Sequence, residues 1–391
     1  MKKLIVSVSI AFLMLEQLSF AQAPGYDFTR KRLFPGFDGK TCKMSPNIAT
    51  DWDGTILMNY GHLLLTGSDV FYGQDMFKSE DNGETWKKLR KSKSLKQTWD
   101  GNLRITYNAV PHYSRYFKKW YAICNTTKYA DDKVPFQNMV DGKPWSSPYY
   151  ADIDIRTGKL GQLKPLPFPF DYAGTNAYGE PLELENGDII QTFYFVTPEQ
   201  KTKNYKSVCV RYRFTEDGLE VVEAGTPVQY PELNRGVYEP SLIYFQGKYY
   251  LTLRSDERGM FCESTDGLHF GPFKIWCWED GTPIGNKNTQ QHWISLGDSL
   301  YLSYTRENGA NGHVFRNRAP VYSARFDTEK GALVRETEFP LVPELGARLG
   351  NFNTICDGEG RAYFITAEWM QPVGCEKYGS DNSLWFISIG K

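Results

Sequence analysis

Six stretches of the chain, SPNIATDWDGTILMNY, AVPHYSRYFKKWYAIC, GEPLELENGDIIQTFY, YEPSLIYFQGKYYLTL, QQHWISLGDSLYLSYT and NFNTICDGEGRAYFIT, share one grammar. Each has a short polar or Pro-containing start, an apolar strand, a Gly or polar turn and a second β-rich strand. They begin near Ser45, Ala109, Gly179, Tyr238, Gln290 and Asn351, roughly 50 to 70 residues apart, which suits one blade per unit with outer loops of varying length. A unit of this kind cannot bury its apolar face alone, so it stacks on its neighbours. The expected fold is all-β: a single β-propeller over residues 24–391 with seven blades, six of them visible as repeats. The seventh is expected either between Lys128 and Thr175 or where the terminal strand Ser383 to Ile389 meets the N-terminal segment. Closing the ring with both termini would remove exposed sheet edges.

Local chemistry agrees. With 25 Tyr, 24 Phe and 10 Trp the chain is 15% aromatic, a composition that strands favour, and almost no stretch shows a 3.6-residue period. Residues 79–86 read SEDNGETW. Asp81 hydrogen-bonds its own backbone and Gly83 accepts a positive φ, so this octapeptide closes a hairpin between two outer strands, after which Trp86 packs between blades. A looser version, Ser264, Asp266, Gly267 and Phe270 in STDGLHF, lies elsewhere in the chain. Both read as structural.

Lys2 and Lys3 precede an apolar run from Leu4 to Leu15, and Ala21-Gln22-Ala23 follows as a small-x-small cleavage site. Residues 1–23 therefore read as a secretory signal peptide, the run being too short to span a bilayer. The expected location is periplasmic or secreted, without a lipid anchor or membrane span. The 45 basic and 46 acidic residues nearly balance and form no basic stripe, which argues against nucleic acid or an anionic membrane as partner. Seven scattered Cys, with no C-x-x-C, read as buried small hydrophobes with one disulfide at most and no metal site.

In a propeller the first strand of each blade lines the central channel, so the first polar residues of the units should converge on one face. Asn47, His112, Glu180, Glu239, Gln290, Gln291, His292 and Asn353 make that polar funnel, the kind of concavity that holds a small or oligomeric ligand. Each has a bland alternative: Glu239 can cap a turn, and His292 beside Trp293 can be a hydrogen-bonded core residue. A second cluster, NGHVFRNRAP, holds His313, Arg316 and Arg318, with Arg306 just upstream. Strand alternation would set Arg316 and Arg318 on one face, where their planar forks could bind a carboxylate; the alternative is a pair of surface arginines matched to Asp or Glu.

The SEDNGETW octapeptide, YEPSLIYFQGKYYLTLRSDERGM and especially NGHVFRNRAPVYSARFD resemble the sialidase-like Asp-box propellers that include the α-L-rhamnosidases of glycoside hydrolase family 145, the related rhamnose–glucuronate lyases and the oligosaccharide dehydratases of ulvan breakdown. Members commonly carry a second His where this chain has Asn317. The resemblance implies seven blades and a substrate with a uronic acid near its non-reducing end. The leading expectation is β-elimination across C4–C5 of that uronate. His292 or His112 would be the base titrating near neutrality, Arg316 or Arg318 the carboxylate clamp, and Tyr238 the acid, with no metal or cofactor required. His313, Gln290, Gln291, Glu239, Glu180 and Arg254 would contact substrate. In the rhamnosidase alternative a single His acts, and His62 in MNYGHLLL is the candidate. An exo-sialidase would draw an arginine triad from Arg104, Arg235, Arg254 and Arg318 with Tyr238-Glu239 as nucleophile pair, although the usual Arg-Ile-Pro start is absent. A silent glycan-binding propeller is the non-enzymatic alternative; such modules keep aromatics and lose titratable pairs. The expected partner is an oligosaccharide and the expected state a monomer.

Overall fold

Alternating apolar and polar residues in short aromatic-rich runs, each ended by a Gly or Asx turn, produce a succession of antiparallel meanders. The computed structural model describes residues 25–390 apart from 52, 68, 90–94, 101–102, 132, 134, 138, 201–202 and 358–359. The expected signal peptide lies outside the described residues.

Six sheets form among the described residues. Blade I runs Thr41–Thr50, Ile56–Leu64, Phe71–Ser79 and Lys87–Lys88 from the inside out. Blade II is the largest, built on Leu103–Ser114, Lys119–Tyr129 and Pro148–Asp154. Blade III comprises Gly174–Glu183, Ile189–Val196, Lys206–Phe214 and Leu219–Ala224, and blade IV Tyr238–Phe245, Lys248–Arg254, Gly259–Ser264 and Lys274–Ile275. Blade V starts with His292–Leu296, Ser299–Thr305 and Val321–Asp327. Blade VI takes Phe352–Cys356, Ala362–Ala367 and Leu384–Gly390 from the C-terminal end and Asp27–Leu33 from the N-terminal end. Inner strands of successive blades pack together around the ring, and that of blade VI packs on that of blade I. Helix among the described residues is confined to 3-10 turns of three or four residues.

Six blades form among the described residues, where seven are expected. The stretch after Lys128 extends blade II, and the terminal strands complete blade VI, so neither place yields a further sheet among the described residues. The Asp-box turn forms as read: Asp81 Oδ1 accepts from Ser79 Oγ (2.7 Å) and Thr85 N (2.9 Å), Gly83 has φ 85°, and Trp86 meets Phe386 of blade VI edge-on at 5.3 Å. A Cβ on Gly83 would approach the Phe386 ring to 2.4 Å, so the box requires glycine for space as well as for φ. The hydrogen bonds from Thr85 first, then Ser79, hold the Asp81 carboxyl down to about 2. The second box repeats the Ser264–Asp266 contact at 2.8 Å. All seven cysteines are free, five of them buried, so the allowance for a disulfide is not used.

Between blades the apolar faces interlock, most densely where Phe261, Trp276, Trp293 and Phe326 join blades IV and V. Polar side chains satisfy the inner edges: Asn125 of blade II exchanges two hydrogen bonds with Ala177 of blade III (2.8 and 2.9 Å), and Gln290 Nε2 reaches Phe352 O (2.6 Å).

Candidate active site

A cavity of about 870 Å³ opens at the centre of the ring, lined from all six blades, within the ~300–1,000 Å³ usual for ligand sites. Its walls carry Arg235, Arg254, Arg316, Arg318 and Arg348; its tyrosines are Tyr178, Tyr194, Tyr205 and Tyr238. Asn47, Gln290, His292 and Asn353 line it as the funnel reading expects, as does Glu239.

Other expected residues fall elsewhere. The inner strand of blade II begins at Leu103 and not near Ala109, and His112 lies two residues, about 7 Å, beyond the cavity-lining Val110. There its Nδ1 pairs with Glu180 Oε2 at 3.0 Å, and neither residue lines the cavity. Gln291 sits between two inward-facing neighbours, and strand alternation turns it into the blade, where its Oε1 accepts from Thr252 Oγ1 (3.1 Å). His62 is on the second strand of blade I, paired with Asp75 (3.2 Å), and His313 pairs with Glu344 (3.1 Å) against Tyr378; both are off the cavity. Arg306 is held by Glu338 (2.6 Å). The Arg104 side chain lies outside the described residues. Arg316 and Arg318 do share the cavity, but not by strand alternation. They stand on a turn, Phe315–Asn317, whose Arg316 and Asn317 adopt φ 58° and 54°.

Two hubs organise the arginines. The first is Asn288, in the connection leading into blade V. Its side-chain Oδ1 accepts from Arg254 Nη2 (2.5 Å) and its carbonyl from Arg318 Nη2 (2.6 Å), while its own N–H donates to Ser255 O (2.9 Å). One residue thus aims guanidiniums from two blades. Asn288 has φ 49° and Glu239 φ 48°, left-handed values that cost energy in most residues and that asparagine tolerates better than most. The second hub is the phenyl ring of Phe315, with the Arg316 and Arg348 guanidiniums 5.0 and 4.7 Å from its centroid.

Charge is unevenly matched. Arg254 pairs with Glu239; burial pulls the guanidinium down, and the Glu239 charge and hydrogen bond together with Tyr238 and Tyr178 outweigh it and leave it raised. Arg235 forks onto Asp256 (2.5 and 2.8 Å). Among the described residues the Arg318 side chain, 3% exposed, hydrogen-bonds only to the Asn288 carbonyl, and its Nε has no partner; burial, then the nearby Arg254 charge, pulls it down to about 9. Holding such a cation out of water without a counter-ion is costly, which marks the place where an anion would be welcome. Tyr238 Oη donates to Asp256 Oδ1 (2.6 Å) and accepts from Arg235, and burial keeps the phenol protonated. The His292 ring lies between Tyr178 and Phe352, its Nε2 has no partner, and burial lowers it to about 3. It is a neutral imidazole at physiological pH, contrary to the expected titration near neutrality.

Arg348, Asn288 and Asp256 were not among the expected site residues, and Arg235 was named only for a sialidase triad. Position offers a signal: Arg235, Asn288 and Arg348 each stand two or three residues before the start of a repeat unit, at Tyr238, Gln290 and Asn351. Asp256 has no such cue.

No protein-family model matches the chain, and no curated protein matches it either. Its fold is nevertheless shared with solved structures. A protein of unknown function from Dyadobacter fermentans superposes with a TM-score of 0.64 at 14% identity, over 94% of this chain and all of the other. The Trypanosoma rangeli sialidase gives 0.61 at 14% identity over 94% of this chain, and the Hadza microbial sialidase Hz136 gives 0.60 at 9% over 88%. This chain spans 60% and 65% of those two sialidases. The likeness is one of fold: a sialidase-type β-propeller.

Proposed function

We propose that the protein is a carbohydrate-active enzyme that seats the carboxylate of a uronic acid, at the non-reducing end of an oligosaccharide, between Arg254 and Arg318 and eliminates across C4–C5 of that sugar. The observation that carries this reading is Arg318: a buried cation on the cavity wall, aimed by Asn288 and without a carboxylate partner. Two guanidinium forks on a carboxylate withdraw charge from C5 and so acidify its C–H. His292, neutral and with Nε2 unpaired, accepts the C5 proton; the electron pair forms C4=C5 as the C4–O bond breaks. Tyr238, protonated, gives its proton to the departing oxygen and is recharged through Asp256. Sugar leaving from C4 makes the step a lyase reaction; water leaving makes it a dehydration.

The Tyr238–Asp256 hydrogen bond also favours a second reading, glycoside hydrolysis, in which Asp256 takes the phenolic proton as Tyr238 attacks the anomeric carbon. Fold neighbours named as sialidases support that class as well. Incubation with uronate-terminated, rhamnose-capped and sialylated oligosaccharides separates the two. Ultraviolet absorbance of an unsaturated uronate is expected to rise, with free sugar for a lyase and without it for a dehydratase. Released sugar with no absorbance change would replace elimination by hydrolysis.

A further inference from the structure

We propose that Arg316 and Arg348, gathered on Phe315, form a second anion subsite that takes another oxyanion of the same acidic oligosaccharide, a sulfate ester or a second carboxylate. The inference rests on the carboxylate reading of Arg254 and Arg318 and extends it to the neighbouring part of the substrate.

The first support is separation by construction. Arg254 and Arg318 converge on Asn288, whereas Arg316 and Arg348 converge on the Phe315 ring, so the cavity has two cationic centres built on different residues. The second is geometry. Arg348 packs on two rings, Phe315 at 4.7 Å and Trp369 at 3.5 Å from guanidinium carbon to centroid. A guanidinium held against rings still donates from its edge, the group with which arginine grips an oxyanion in two parallel hydrogen bonds. One edge nitrogen, Nη2, donates to the neutral Gln371 Oε1 at 2.8 Å; Nε, buried, has no partner. The third is charge. Arg348 is 6% exposed and neither it nor Arg316 makes an ion pair among the described residues, although the Asp69 charge, also on the cavity wall, partly offsets the burial of Arg348. Burial with no counter-ion is tolerated where a ligand supplies one. A single carboxylate occupies the two forks at Asn288 and leaves this pair unmatched.

The test is calorimetric titration of the full chain with three uronate-terminated disaccharides: one with no second anion, one with a sulfate ester and one with a second carboxylate on the neighbouring sugar. The wild type is expected to bind at least one dianionic probe on the order of tenfold to a hundredfold more tightly than the monoanionic one, as a gained charge-assisted hydrogen bond implies. The probe preferred identifies the anion. Arg348→Gln and Arg316→Gln should each bring that ratio close to one, and Arg348→Lys, which keeps the charge but not the fork, should restore part of it. Arg318→Gln should weaken all three probes. A wild type without dianion preference, or a preference that survives both Gln variants, overturns the subsite. Thermal melting checks folding; if Arg348→Gln unfolds, the exposed Arg316→Gln decides alone. A preference that depends on Arg316 and Arg348 while no probe is turned over leaves the subsite standing and removes the enzymatic reading.

Discussion

Single residues here trade stability for a charged cavity. Arg318 is a buried cation whose burden an anionic ligand would lift, so Arg318→Met should abolish uronate binding in a titration while the ligand-free melting temperature stays at or above wild type. A large fall in melting temperature would mean that the guanidinium is structural. His292 carries a cost that depends on pH. Its folded value of about 3 lies below the ~6.5 of an unfolded imidazole, so between those values the unfolded chain binds the extra proton and stability rises with pH. Below that window the loss is complete, and above it absent. Relative to His292→Gln, the wild type should therefore lose stability as pH drops from about 6.5 towards 3, by up to a few kcal/mol; denaturant titrations at pH 7 and 4.5 read this directly. The same burial predicts that the pH–rate profile has no limb near neutrality from His292.

Among the elements, the strands hold the cavity and the connections before them arm it. Asn288 occupies such a connection and serves by both of its oxygens. Asn288→Ala removes the acceptor for Arg254, and losing one charge-assisted hydrogen bond should cost about 1.5–3 kcal/mol, or roughly tenfold to a hundredfold, in kcat/KM. Asn288→Gly relieves the left-handed backbone at φ 49° and should regain stability without regaining rate, a split that melting curves and kinetics together would reveal. Equal recovery of both would show that strain, and not the amide, is what matters. Inner-strand length also decides what the cavity receives. The early start of the blade II strand carries His112 past the opening and into its pair with Glu180.

At the scale of the molecule, the ring is closed by Asp27–Leu33 pairing with Leu384–Gly390, reinforced by Arg30 donating to Leu341 O (3.0 Å) and Pro340 O (2.6 Å) of blade V and by Arg32 on Asp381 (2.7 Å) and Glu368 (3.2 Å). A chain starting after Leu33 would leave Leu384–Gly390 as an unpaired edge, most of it apolar. It should melt at lower temperature and associate on size-exclusion chromatography. An unchanged, monodisperse truncation would show that blade VI is stable with three strands.

The repeat grammar and the Asp-box turns determined the all-β ring, because period-2 burial and turn chemistry are local and recur in every blade. They also named five of the cavity-lining residues at the funnel, together with Tyr238, Arg254, Arg316 and Arg318, since these either begin a unit or sit in a dense Arg segment. Only the tertiary structure decided the rest. How many sheets close the ring depends on which distant strands share an edge, and Asp27–Leu33 and Leu384–Gly390 lie at opposite ends of the chain. Whether a histidine is charged depends on its burial: His292, set between Tyr178 and Phe352, looks the same in one dimension as a freely titrating imidazole. Asn288, Asp256 and Arg348 matter through contacts with residues from other connections, and packing alone brings such residues within hydrogen-bonding reach.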